Sequence, residues 1–520
     1  MRRFSRSALA LSAAAGLLLF SCAAAAKTIT VAVSAAFTTL DPWDSPDTMT
    51  KSVGRSIYEG LFALDANMRP VPELAQSYAA SPDDRVYTIK LKSGVRFHDG
   101  APFDAAAVKK NFDRVLAPDA RLSKKAVFDF IERVEVVDEL TVRFTLKAAH
   151  GDFLRRLATA NAGMICPSYI DRYAQAGRGG DLATNACGTG PFVQVEFNPS
   201  ERLIVKKNPN YRVQGLPKLE GIRWIPVVEN STRAAMLRTG EADFISSVPI
   251  ESLAALRSDP SISVQSIPST VQKHLDLNNA AKPFDDKRVR QAINYAINKD
   301  ALVKVAFQGN AAPQYGLLPE AYAGAVKFGP WPYDPKKARE LLREAGYPNG
   351  FETTLWSGYN DTTSAKVVQF VAQQLRLVGI RAETKLLEPG MRSRLLMDVK
   401  GPEDAKHRML LIGWSDATLD PDMVLRPTLE SRSAPPKYFN TTYYKNAEFD
   451  RLLNEALEAP DAQKRAELYG AAQRLAWDEA PWAYLYFEMS TGAGKTMLKN
   501  FRMNPNQSFD FYEAYWDPEA

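Results

Sequence analysis

The feature that most restricts the fold is a repeated helix-and-strand grammar in the second half of the chain. Asp286 to Val305 carries Val289, Ala292, Ile293, Ala296 and Ile297 at helical spacing, which makes one face apolar. Asp334 to Ala345 starts on an acidic cap and stops at Gly346. Thr363 to Gly379 repeats the pattern, and Arg381 to Leu387 reads as a strand. Asp461 to Trp477 is a long amphipathic helix, followed by a strand over Ala483 to Phe487. Helices alternating with short strands predict an α/β lobe with a mainly parallel core sheet.

The first half reads differently. Lys27 to Val33 alternates as a strand. In Arg85 to Lys92, Tyr87, Ile89 and Leu91 share one face, as in a half-buried strand. Asp99-Gly100 is a turn pair, and Asp104 caps a helix that begins at Ala105. Val134–Val137 and Thr141–Leu146 form a hairpin. Ser231 is read as the cap of a helix that ends at Gly240.

With 520 residues the chain exceeds one core and calls for two or three lobes. Its net charge of +5 comes partly from Arg2, Arg3 and Arg6. Without residues 1–26, 62 basic and 60 acidic residues remain, and no basic cluster with interleaved aromatics points to nucleic acid. Those three arginines and the apolar run Ala8 to Phe20 read as a secretory signal. Cleavage after Ala26 would give a soluble periplasmic product, the reading preferred here. Lipidation at Cys22, within a lipobox-like Leu-Phe-Ser-Cys, is the alternative. Cys166 and Cys187 are then the remaining pair, and an even count in an exported chain invites a disulfide; two separate buried thiols are the other possibility.

Catalytic signatures are weak. His98, His150, His274 and His407 are scattered, with no metal-ligand spacing. His98, in Phe-His-Asp-Gly, reads as a turn histidine bonded to backbone. Gly492-Ala493-Gly494-Lys495-Thr496 imitates a phosphate loop but has Met489 where the leading Gly belongs. No cofactor and no metal are expected.

The run from Tyr58 to Val108, YEGL…P.LA.S…S.D…YT..L..GV.FHDG.PF.A..V, is specific. It resembles the family 5 extracytoplasmic solute-binding proteins of ABC importers, which include dipeptide-, oligopeptide-, nickel- and glutathione-binding members. Segments such as FTTLDP, TRAAMLRTGEA, RQAINYAIN and GWSDATLDPDMVLRP extend the likeness over the whole mature chain and are most similar to the glutathione-binding members. The resemblance implies an α/β, periplasmic binding protein type II-like fold, with two lobes (three subdomains) around an interlobe ligand cleft. The expected segments are a signal peptide over 1–26, lobe I over 27–43, 186–272 and 491–520, its accessory subdomain over 44–185, and lobe II over 273–490. The implied function is capture of glutathione or a related short peptide for an inner-membrane ABC permease, by a monomer and without bond-making. A general di- or oligopeptide binder is the runner-up, and a secreted hydrolase the rival class.

Candidate ligand residues lie in two loops at strand ends, where a cleft ligand would be met. Trp414 offers an apolar wall, Ser415 and Thr418 hydroxyls, Asp416 a partner for an ammonium, and Arg426 a clamp for a carboxylate. Asp416 reads equally well as a turn cap. Trp356 and Tyr359 form a second wall or ordinary core. The resemblance also implies that the loop holding Thr38 and Thr39 reaches the cleft mouth. It places the amine-binding Asp of the peptide binders at Ala417, so this chain departs from that pattern.

Overall fold

The computed structural model describes residues 27–45, 47–173, 180–416, 419–459 and 461–519. Residues 1–26, with the expected signal peptide and Cys22, and Ala417 and Thr418 lie outside them.

An eleven-stranded mixed sheet runs through the molecule. Its strands in chain order are β1 (Thr28–Val33), β2 (Phe192–Asn198), β3 (Arg202–Lys207), β4 (Gly221–Pro226), β5 (Phe244–Ser246), β6 (Ile262–Leu277), β7 (Ala311–Pro313), β8 (Phe351–Ser357), β9 (Ile380–Leu386), β10 (Met409–Trp414) and β11 (Trp482–Lys495). The spatial order is β9-β8-β10-β6-β11-β5-β1-β4-β3-β2, with β7 against β11.

β6 and β11 pair antiparallel in two stretches. Ile262–Pro268 faces Met489–Lys495, and Gln272–Asp276 faces Trp482–Phe487, with the register shifting between Pro268 and Gln272. One side of that break belongs to the lobe built on β1–β5, the other to the lobe built on β7–β10. The apolar clusters follow the same division. One gathers Ile29, Trp43, Phe112, Phe144, Trp224 and Phe509. Others gather Leu275, Val289, Val367 and Leu485, and Leu425, Leu453, Tyr469 and Trp482. A separate four-stranded antiparallel sheet (residues 75–80, 86–91, 131–138 and 141–146) extends the first lobe.

The periodicity reading holds closely in places. Tyr87, Ile89 and Leu91 are buried as one face, and Asp104 accepts from the Ala107 amide at 2.8 Å. His98 is tied to backbone: its Nε2 lies 3.0 Å from the Gly190 carbonyl, and the Gly188 amide donates to its Nδ1. Cys166 and Cys187 are bridged, with Cα atoms 5.4 Å apart. Closing a loop of about this length contributes roughly 3 kcal/mol.

Three expectations need correcting. The stretch 286–305 is two helices, Lys287–Ala296 and Lys299–Phe307, because Ile297 turns extended and Asn298 caps the second by accepting from the Ala301 amide. The cap near Ser231 is supplied by Glu229, whose carboxylate accepts from the Ser231 and Thr232 amides. The second lobe's sheet is parallel only at β9-β8-β10. β6 and β11 enter antiparallel because they arrive from the other lobe and not through crossover helices. β11 also absorbs the phosphate-loop imitation: Gly492 and Gly494 are strand residues. A Cβ at Gly492 would sit 2.5 Å from Met503 Sδ, so the glycine there serves packing.

Candidate ligand cleft

Where the lobes face each other there is a cavity of about 460 Å³. Its first-lobe wall comes from the helix Thr48–Gly54, the hairpin Phe62–Leu64/Pro70–Pro72, the segment 211–212 and the returning chain 500–513. β6 contributes Thr270, and the loop after β10 contributes Ser415 and Asp416.

The wall is charged, and most of the charge is internally paired. Glu59 is 2% exposed, and its Oε1 accepts from Tyr211 Oη at 2.8 Å and from Arg212 Nη2 at 2.6 Å. Glu73 accepts from the Gly60 amide at 2.8 Å and pairs with Arg55 at 3.3 Å. Burial pushes the Glu73 carboxyl up to about 7, against the pull of Arg55. Arg502 holds Asp510 at 2.8 Å. Two buried acceptors on the wall have no partner among the described residues, Glu59 Oε2 and Thr270 Oγ1. Leaving such an atom unmet costs about 1–3 kcal/mol.

The family model for bacterial extracellular solute-binding proteins, family 5, matches residues 69–435. This chain belongs to that family. It is 43% identical over 513 residues to the glutathione-binding protein GsiB of Escherichia coli (strain K12), covering 99% of both chains. It is 44% identical over 492 residues to GsiB of Salmonella paratyphi A, covering 95% of each. Among solved structures, the periplasmic binding protein DppA of Helicobacter pylori, in complex with the peptide STSA, matches with a TM-score of 0.78 at 29% identity. That match covers 95% of this chain and 99% of DppA.

As in any such cleft binder, what matters is which side chains reach the cavity. Ser415 and Asp416 do. The Asp416 amide donates to Tyr322 Oη at 2.9 Å, which fixes the loop. The other sequence candidates stand elsewhere. Thr38 Oγ1 donates to Asp47 at 3.0 Å, and Thr39 Oγ1 accepts from the Asp41 amide at 3.1 Å, so both secure the turn before the helix Thr48–Gly54. Trp356 packs beside Leu387, Leu396 and Leu410. Tyr359 Oη accepts from the Gly413 amide at 3.0 Å, with Lys273 Nζ 3.7 Å over its ring. Trp414 Nε1 donates to the Met423 carbonyl at 2.9 Å. Arg426 spends its donors on Asp422, Glu430, Asn454 and the Leu453 carbonyl. None of these six lines the cavity.

Charged residues of the cavity wall that sequence reading did not single out include Lys51, Arg55, Glu59, Glu73, Arg212 and Arg502. Glu59 and Glu73 lie inside the motif that carried the resemblance. Their partners could not be read there, because Glu59 meets Arg212 across 153 residues.

Among the described residues, the atoms with metal-ligand proximity are those of Asp99, Cys166 and Cys187. The disulfide already uses both sulfurs. No helix of the described residues is long and apolar enough to cross a membrane.

Proposed function

We propose that this protein captures glutathione or a closely related short peptide in the periplasm and delivers it to an inner-membrane ABC permease. The observation that carries the reading is a charged cavity between two lobes joined by β6 and β11, in a chain 43% identical to GsiB over 99% of its length. Lobe I takes residues 27–43, 186–272 and 491–520, the accessory subdomain 44–185 and lobe II 273–490. The register break between Pro268 and Gln272 is where the paired strands yield, so the lobes swing there. The working form is a monomer, exported by its first 26 residues, and the protein acts by holding and releasing.

The test is to titrate purified protein with reduced glutathione and with di- to tetrapeptides, following thermal unfolding and product formation together. A binder is stabilised as RT ln(1 + [L]/Kd), about 2.7 kcal/mol at a hundredfold excess over Kd, and returns its ligand intact. Cleavage products would establish the hydrolase reading instead. A general peptide binder is the second reading. The STSA complex of DppA favours it, and tighter binding of ordinary peptides than of glutathione would establish it.

A further inference from the structure

The hairpin Phe62–Leu64/Pro70–Pro72 turns through a residue that its own backbone disfavours. Met68 has a φ of 58°, in the left-handed region where most side chains are strained and glycine or asparagine fits better. The turn is built to hold it there. The Asp65 amide donates to the Arg69 carbonyl and the Met68 amide to the Asp65 carbonyl, both at 2.9 Å. Asp65 Oδ1 accepts from the Asn67 and Arg69 amides at 2.8 Å, and Arg155 Nη1 donates to the Met68 carbonyl at 3.0 Å.

The strained backbone places the side chain in the other lobe. Met68 is 2% exposed and, among the described residues, is the one fully buried first-lobe member of the second lobe's cluster, with Leu317, Leu318, Val424 and Leu425. It also lines the cavity. Opening of the lobes withdraws this thioether from the cluster and exposes it to water. There hydrogen peroxide can oxidise it: the O–O bond breaks, one oxygen bonds to Sδ, the sulfur gives up two electrons, and water leaves. The sulfoxide oxygen is a strong acceptor, and burying it among aliphatic side chains opposes closure. Met423, the other thioether on the seam, is placed differently. Arg156 Nη2 already stands 3.2 Å from its Sδ and can donate to an added oxygen. We infer that Met68 is a closure latch and an oxidation site: peroxide converts it to the sulfoxide in the open form, and the modified protein closes on its ligand less well.

This inference rests on the reading that the lobes open and close around a peptide. The experiment treats ligand-free protein with hydrogen peroxide, removes the peroxide with catalase, and maps sulfoxides by mass spectrometry. Calorimetry then measures affinity for reduced glutathione and for the peptide STSA. In the wild type Met68 should carry the oxygen, affinity should fall about tenfold, and methionine sulfoxide reductase should restore it. Met68→Leu keeps the apolar bulk, so it should bind before treatment and lose no affinity to peroxide. Met423→Leu should stay as sensitive as the wild type. Met68→Gly relieves the backbone and removes the latch, so ligand-free unfolding should hold or rise in temperature while affinity falls severalfold. A lowered unfolding temperature with unchanged affinity would overturn the latch. So would a Met68 left unoxidised while the exposed Met391 is oxidised, or a Met68→Leu variant that loses as much affinity to peroxide as the wild type. In each of those cases the peptide reading stands. If neither ligand binds the untreated protein, that reading falls and the latch with it.

Discussion

The lobes touch in two places with opposite chemistry. On the cavity wall, Glu59 Oε2 and Thr270 Oγ1 are left without hydrogen-bond partners among the described residues. Beside it, the seam between the lobes satisfies itself. Met68, at the tip of the first lobe's hairpin, lies where the seam meets the cavity it helps to line, and is 2% exposed within the second lobe's cluster of Leu317, Tyr322, Val424 and Leu425. Within the first lobe the Met68 carbonyl accepts from Arg155 at 3.0 Å, and across the seam Arg156 Nη2 donates to Met423 Sδ at 3.2 Å. Gly151 makes room for the Arg465 guanidinium, since a Cβ there would lie 1.9 Å from its Cζ. The contrast separates two tasks: the seam supplies closure with groups the protein owns, and the cavity waits for groups that a ligand brings.

The sharpest way to break this contrast is Met68→Asp. An unpaired carboxylate would enter the apolar cluster only when the lobes are shut, so ligand affinity should fall about a hundredfold, or ~2.7 kcal/mol, by calorimetry. Unfolding of the ligand-free protein should hardly move. Arg426→Ala asks the converse. It should cost about 2–3 kcal/mol of stability in denaturant melts and change affinity less than twofold, because its bonds tie together Asp422 and Glu430, at the two ends of its own helix, and Asn454 on the next helix. A collapse of affinity with stability intact would move Arg426 into the site. Asp416→Ala should weaken amine-bearing ligands about tenfold, ~1.4 kcal/mol, and unchanged affinity would remove the residue from recognition.

The smallest effect concerns protons at the seam. Burial, with Asp152 and Asp422 nearby, pushes the Asp420 carboxyl up to about 8. Asp152 is held down to about 2 because Arg156 and His150 outweigh its own burial. Arg155 and Tyr469 also face the pair. An open form that wets Asp420 returns it towards 3.8, so closure takes up a proton. That contribution is fully present below about pH 4 and is lost as pH rises towards 8. Ligand-induced compaction in solution scattering should therefore weaken severalfold across that range, and Asp420→Asn should flatten the trend.

The fold was legible where a residue's role depends on its neighbours in sequence. Alternation placed Tyr87, Ile89 and Leu91 inside, and Asp104, Asp334 and Gly240 punctuate helices as local chemistry requires. The split at Ile297 escaped because apolar spacing continues through it. The candidate site was legible only as far as the loop Ser415–Asp416. Trp356, Tyr359 and Arg426 have the right chemical types for a ligand, yet protein partners have already claimed the Tyr359 hydroxyl and the Arg426 guanidinium, and Trp356 is packed in a satellite cluster.

By itself, then, the chain's order of residues determined the α/β class, the family and the local caps, because periodicity and turn chemistry act over a few residues. Only the tertiary structure decided which charges remain for a ligand. Whether an arginine is spent or available depends on partners far away in sequence, 153 residues for Arg212 and Glu59, that only the folded chain brings together.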